Sequence, residues 1–300
     1  SLGSWLTYGE VIDQKTTRDC IYAAYDVGIN FFDTANVYAR GRAEEAVGQA
    51  LAALPRNSYV LATKCYFPMG DGPNDRGLSR KHIFEQCHHS LRRLRTDYID
   101  LYQCHRYDEE TPLEETLRAL DDLVTQGKVL YVGVSQWTAA QISDALRLAG
   151  ELNLDRIVSN QPAYNMLNRG IEDEVMPVCG REGIGLVVYS PLAQGVLTGK
   201  YKSVDDVPPD SRAANDRVNM FIGGYLKQEN LAKVERLRPI AARLGVSLAK
   251  LALAWCLRRP EVSSVIVGAS RASQVEENAA ACEVGLSDDD IADIEKALQG

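Results

Sequence analysis

Apolar, β-rich runs recur along the chain, reading INFFDTA near position 30, YVLATK near 60, IDLYQCH near 100, VLYVGVS near 130, IVSNQPAY near 158, GLVVYSPL near 187 and SSVIVGAS near 265. Each is almost continuously hydrophobic, the pattern of a strand covered on both faces rather than one with a wet side. Between them, apolar residues fall at helical spacing. In TPLEETLRALDDLVTQG, Leu113, Leu117, Leu120 and Val124 share one face, and Pro112 sits in the first turn. Thr111 and Glu114 there suit a capping box, and Gly127 closes the helix.

Successive strands over the first six units are about 25 to 40 residues apart, the length of a strand plus its crossover helix. A stub at Leu2 brings the strand count to eight. This predicts an α/β fold, a (β/α)8 TIM barrel in which residues 1–300 form a single domain. A doubly wound open sheet competes, but no G-x-G-x-x-G follows any strand. Ser1 is not a methionine and SLGSW reads as the end of a short strand, so further residues are expected before it.

One interval is too long for a simple repeat. From Gly195 to about residue 224 the composition turns to Gly, Pro, Asp, Ser and Asn, including VPPDSRAAND. It predicts a loop over the barrel mouth that buries little apolar area by itself, is mobile without ligand and orders when ligand binds. Two helices, about 225–244 and 247–259, are expected to follow.

A net charge of −8 opposes any role in which affinity comes from neutralising phosphate backbone, so nucleic acid is excluded as a partner. No run approaches the roughly 18 apolar residues of a membrane span, and no basic-then-apolar leader opens the chain. The expectation is a cytoplasmic protein without membrane insertion. Seven scattered cysteines form no C-x-x-C pair, which predicts reduced, mostly buried thiols and no metal site.

In a parallel barrel, chemistry collects where strands end and the following loops begin. The strand ends here supply Asp33, Lys64, His105, Ser135, Asn160 with Gln161, Tyr189 with Ser190, and Gly268 with Ser270. Each has a bland alternative: Asp33 as a turn cap, Lys64 in a structural ion pair, His105 as a satisfied polar residue, and Tyr38 as a loop aromatic. Together they make a proton-transfer constellation. A phenol with a pKa near 10 is poorly matched to neutral pH, and the Lys64 ammonium would lower it. Asp33 would hold Lys64 charged, and His105 would hydrogen-bond a substrate carbonyl oxygen. Hydride must come from a cofactor, since no side chain donates one. A strand-end lysine also admits Schiff-base aldolase chemistry.

The segments GINFFDTANVYARGRAEEAVGQAL, RGLSRKHI, TPLEETLRALDDLVTQGKVLYVGVSQW, YSPLAQGVLTGKY and VSSVIVGASRASQVEENAAA, in this order, resemble the aldo-keto reductases. The similarity covers essentially the whole chain and runs closest to the branch that includes the potassium-channel beta subunits. The resemblance implies NADPH-dependent reduction of aldehydes or ketones by a tetrad of Asp33, Tyr38, Lys64 and His105, with Tyr38 as proton donor. It implies NADPH contacts from Gly3, Ser4, Trp5, Ser135, Gln136 and from Gln161, which would face the nicotinamide amide. Tyr189 would stack on the nicotinamide, a role that channel-type members give to tryptophan. Ser190, Pro191, Leu192, Ala193 and Gln194 would follow the pyrophosphate, with Lys200 and Arg212 closing over it. Gly268, Ser270, Gln274, Glu277 and Asn278 would surround the adenosine, where a helix N-terminus suits phosphate.

The chain departs from the channel-type pattern twice: His105 stands where those subunits tend to carry asparagine, and Gln136 where arginine is frequent. The resemblance also permits an NADPH-binding regulatory subunit with slow turnover that docks on a membrane protein, and a homo-oligomer. The expected partner of the site is a small-molecule carbonyl substrate, whose identity the sequence leaves open.

Overall fold

The continuous apolar runs form strands because both of their faces are covered over most of their length, with Val60, Leu130 and Tyr131 near the strand starts left exposed. Phe32, Leu61, Ala62, Tyr102, Val132, Val134, Leu186 and Val188 are all buried. The computed structural model describes residues 1–209, 211–216 and 218–299; Gly300 of the expected domain, and Asp210 and Arg217 of the long segment, lie outside the described residues.

Among the described residues there are eight strands: β1 Leu2–Gly3, β2 Phe31–Asp33, β3 Val60–Cys65, β4 Ile99–Cys104, β5 Val129–Ser135, β6 Ile157–Gln161, β7 Gly185–Val188 and β8 Val262–Val265. All pair in parallel and in sequence order in one curled sheet. Beyond β8, Val267 bridges back to Leu2, with Gly3 N–H donating to the Val267 carbonyl at 2.9 Å. Gly3 matters to this seam. A methyl group there would stand 2.5 Å from Ile266 Cγ2, so only glycine lets the two edges approach. The arrangement is consistent with the expected (β/α)8 barrel.

Helices follow the strands: α1 Gln14–Asp26, α2 Arg42–Leu51, α3 Arg80–Leu94, α4 Leu113–Thr125, α5 Ala139–Leu152 and α6 Val175–Glu182. Then come α7 Gln228–Arg243, α8 Leu248–Leu257, α9 Ala272–Ala279 and α10 Asp288–Gln299. The amphipathic pattern of α4 holds, with Leu117, Leu120 and Leu123 buried. Each contributes at most about 1.5–3 kcal/mol on leaving water. Its capping box does not form. Pro112 is the N-cap and makes no side-chain bond, because the Thr111 hydroxyl is given to Asp108 Oδ2 at 2.7 Å while Glu114 pairs with Arg118. The two expected late helices are α7 and α8.

The long segment also buries more than its composition suggests. Val196, Leu197, Tyr201, Val218 and Ile222 are core residues set singly among turn residues. The seven cysteines are free thiols, six buried and Cys282 exposed. Among the described residues no single helix is long and apolar enough to cross a membrane.

Candidate active site

Parallel pairing in register places Gly3 beside Asp33, Lys64 beside Gln103, and Ser135 beside Gln161, so these polar side chains collect at one end of the sheet. Lys64 is fully buried, and its Nζ donates to Asp33 Oδ1 at 2.5 Å and to the Thr34 carbonyl at 2.8 Å. The same ammonium reaches Tyr38 Oη at 3.4 Å, and Tyr38 Oη lies 3.5 Å from His105 Nε2. Asp33, Tyr38, Lys64 and His105 therefore form one connected group around a half-buried phenol.

The electrostatics differ from the simple expectation. Burial pushes the Tyr38 phenol well above its usual range, and the Asp33 carboxylate and Tyr189 push the same way, with Arg106 opposing. Lys64, 3.4 Å from the hydroxyl, does not reverse this direction. Burial lowers the Lys64 ammonium too, against the attraction of Asp33. His105 is held well below the ordinary histidine range by burial first, then by Lys64 and Arg106. It is a neutral imidazole near pH 7. Its Nδ1 is buried without a partner, so the proton is better placed on Nε2, where it points at the Tyr38 hydroxyl and any oxygen bound beside it.

Gln161 Nε2 donates to Asp33 Oδ2 at 2.9 Å and to Gln103 Oε1 at 3.3 Å, so its carboxamide is engaged inside the site. Ser4 and Ser135 are buried, Ser4 donating to Thr34 Oγ1 at 2.8 Å and Ser135 to the Gln161 carbonyl at 2.9 Å. Trp5 is half-buried, its ring 6.4 Å from Tyr38, 6.2 Å from Tyr189 and 4.9 Å from Phe221 of the long segment. Gln136 has a left-handed φ of 60° and donates to the Tyr189 hydroxyl. Phe67 closes the other side, 4.8 Å from the His105 ring.

A second group lies beyond β7. Ser190, Ala193 and Gln194 have φ of 54°, 48° and 59°, followed by Gly195 at 98°. Such left-handed turns aim successive backbone N–H groups into an anion-binding concavity. Arg212 donates to Gln194 Oε1, and Gln194 Nε2 donates to Ser190 Oγ at 2.6 Å, so these three candidates are joined. Pro191 is buried and Leu192 half-buried. The Lys200 side chain is exposed over the Tyr201 ring at 5.4 Å.

Gly268 is exposed with open space around it, and Ser270 N–H and Oγ both donate to Gln274 Oε1, at 2.9 and 3.2 Å. Helix α9 begins just past them with no side-chain cap and no acid in its first turn, which suits a phosphate. Glu277 and Asn278 lie on α9, exposed and half-buried; among the described residues neither hydrogen-bonds or ion-pairs with the other candidates. The left-handed turns after β7 and the uncapped start of α9 fit a dinucleotide phosphate chain.

The aldo/keto reductase family model matches residues 1–299. The chain belongs to that family. A rice (Oryza sativa subsp. japonica) protein named as a probable voltage-gated potassium channel subunit beta is 46% identical over 287 residues, covering 95% of this chain and 87% of the relative. Its Arabidopsis thaliana counterpart is 47% identical over 287 residues with the same coverage. A putative channel subunit beta of Schizosaccharomyces pombe is 41% identical over 292 residues, covering 94% of this chain and 84% of that protein.

Family membership supports oxidoreductase chemistry. In this aldo/keto reductase, side chains that strand-end reading passed over also enter the site. Gln103 donates to Asp33 Oδ2 at 3.4 Å, and its i, i+2 spacing from His105 within one apolar run was the available signal. Phe67 and Phe221 carried none, because loop aromatics have no period.

Proposed function

We propose that the protein reduces aldehydes or ketones to alcohols with NADPH, Tyr38 giving the proton. The observation that carries this is the Tyr38 hydroxyl set between Lys64 Nζ at 3.4 Å and His105 Nε2 at 3.5 Å. Bound NADPH supplies hydride to the carbonyl carbon. The chain's residues do the rest. A phenol raised by burial is fully loaded with its proton at neutral pH, and the carbonyl oxygen takes that proton as negative charge develops on it. The tyrosinate left behind faces the Lys64 ammonium, which Asp33 holds in place, while neutral His105 orients the oxygen from Nε2. The rings of Trp5, Phe221 and Tyr189 line the mouth of the site.

The curled sheet is taken as a closed single-domain barrel. The phosphates would sit on the turns of Ser190 to Gln194 under Lys200 and Arg212, and the adenosine beside Ser270 and Gln274, where Arg271 offers a cation to the 2'-phosphate and so favours NADPH over NADH. The long segment, anchored at its buried residues, would tighten over the phosphates. Fluorescence titration with both cofactors tests the assignment; equal affinity contradicts the preference.

A second reading is favoured by the channel-subunit names of the relatives: an NADPH-holding regulatory subunit. Steady-state turnover with freely exchanging NADPH supports the enzyme, and slow single turnover with retained cofactor supports the subunit. Schiff-base chemistry fits less well, because Lys64 is fully buried and held by a carboxylate.

A further inference from the structure

Arg106 follows His105 directly and has no part in the proton transfer. Its guanidinium is half-buried, donates to the His105 carbonyl at 2.5 Å, and stands 5.3 Å from the centroid of the Phe67 ring. That ring is in turn 4.8 Å from the His105 ring. The charge of Arg106 acts on Tyr38, Lys64, His105 and Tyr189 alike, which sets it among the side chains around the expected carbonyl.

Among the described residues Arg106 meets no carboxylate, in a chain that carries 41 Asp and Glu. Of the other half-buried arginines described, Arg56, Arg93, Arg169, Arg258 and Arg259 each meet one, at 2.5 to 3.7 Å, while Arg212, which meets none among the described residues, is the side chain assigned above to the cofactor phosphates. A half-buried cation beside a second ammonium is costly without a counter-charge, so an anion brought in from outside would complete it. The planar guanidinium fork suits a carboxylate, which it can grip with two parallel hydrogen bonds. The aromatic rings of Phe67, Trp5 and Phe221 leave the rest of the mouth apolar, fitting a short carbon chain between the two polar ends.

We infer that Arg106 binds a carboxylate on the substrate, so that the substrate class is the oxo acids: aldehydes or ketones with a carboxylate on the same short chain. This rests on the reductase reading and narrows it. The reaction balances as oxo acid plus NADPH plus one proton giving hydroxy acid plus NADP+, with hydride added to the carbonyl carbon, the proton delivered to its oxygen, and the carboxylate unchanged.

The test compares 4-oxobutanoate with butanal, which matches its chain but lacks the charge, in the wild-type protein, Arg106→Met and Arg106→Lys. Two readouts are taken: kcat/KM with NADPH, and binding followed by tryptophan fluorescence with NADP+, which cannot donate hydride. The acid-to-neutral ratio of kcat/KM should exceed about tenfold in the wild type, fall towards parity in Arg106→Met, and recover in part in Arg106→Lys. Using the ratio cancels any general loss of activity or fold. Binding of 4-oxobutanoate should weaken in parallel. A wild-type ratio near one, or a ratio and acid binding unchanged in Arg106→Met, would overturn the assignment. Arginine-dependent binding of the acid without turnover of either compound would uphold the carboxylate site and sink the reductase reading.

Discussion

Lys64 Nζ and Asp33 Oδ1 stand 2.5 Å apart with side chains 0% and 4% exposed, a buried ion pair at the centre of the site. Breaking such a pair strands a charge, and that penalty exceeds what the intact pair contributes. Lys64→Met should lower stability by about 3–5 kcal/mol, measured by urea denaturation, and should abolish carbonyl reduction. The double variant Lys64→Met with Asp33→Asn should be more stable than Lys64→Met alone, because no charge is left behind. A double variant as unstable as the sum of both singles would mean the loss is one of packing.

Acid should weaken the fold partly through His105. Its folded pKa lies well below the ordinary value because burial, Lys64 and Arg106 all disfavour the imidazolium. The unfolded chain therefore binds the proton first. The contribution is fully present above the unfolded value of about 6.5 and is lost as pH falls below it. His82 is depressed in the same direction, so the informative quantity is a difference. Between pH 7.5 and 5 the stability of His105→Asn should fall less steeply than that of the wild type. Parallel slopes would show that His105 is not titrating in this way.

Gly3 was expected to touch cofactor, and its position at the sheet seam gives it a packing role first. Gly3→Ala should cost about 1–3 kcal/mol through overpacking against Ile266 Cγ2. Combining it with Ile266→Ala should cost less than the two single losses added, since the contacting methyl is gone. Additive thermal-denaturation losses would place the strain elsewhere.

Much of this was legible in the chain, for identifiable reasons. Strands covered on most of both faces leave continuous apolar runs, so seven could be placed that way, with only the two-residue strand at Leu2 read from a stub, and polar residues at their ends stood out by contrast. Asp33, Tyr38, Lys64 and His105 lie within hydrogen-bond reach of one another in the order Asp33, Lys64, Tyr38, His105. What was hidden depends on register and on burial depth. Gln103 and Gln161 share Asp33 Oδ2 only because β4 and β6 bring them to the same level, which local patterning does not encode. The upward shift of Tyr38 comes from burial first and then from the Asp33 charge, neither visible in residue types alone. The long segment looked too polar to pack because Tyr201, Val218 and Ile222 occur singly among turn residues. The helix cap at Thr111 was lost to Asp108, a competitor three residues upstream.

The central claim is that Tyr38 gives the proton, and Tyr38→Phe addresses it with the loss of one oxygen. General acid catalysis is worth about 100-fold to 10,000-fold. The account predicts that kcat for NADPH-dependent carbonyl reduction falls at least about 100-fold in Tyr38→Phe while NADPH affinity, titrated by fluorescence, moves little. A variant retaining more than about a tenth of wild-type kcat, with a deuteride isotope effect showing that hydride transfer limits the rate, would contradict it and leave His105 as the acid.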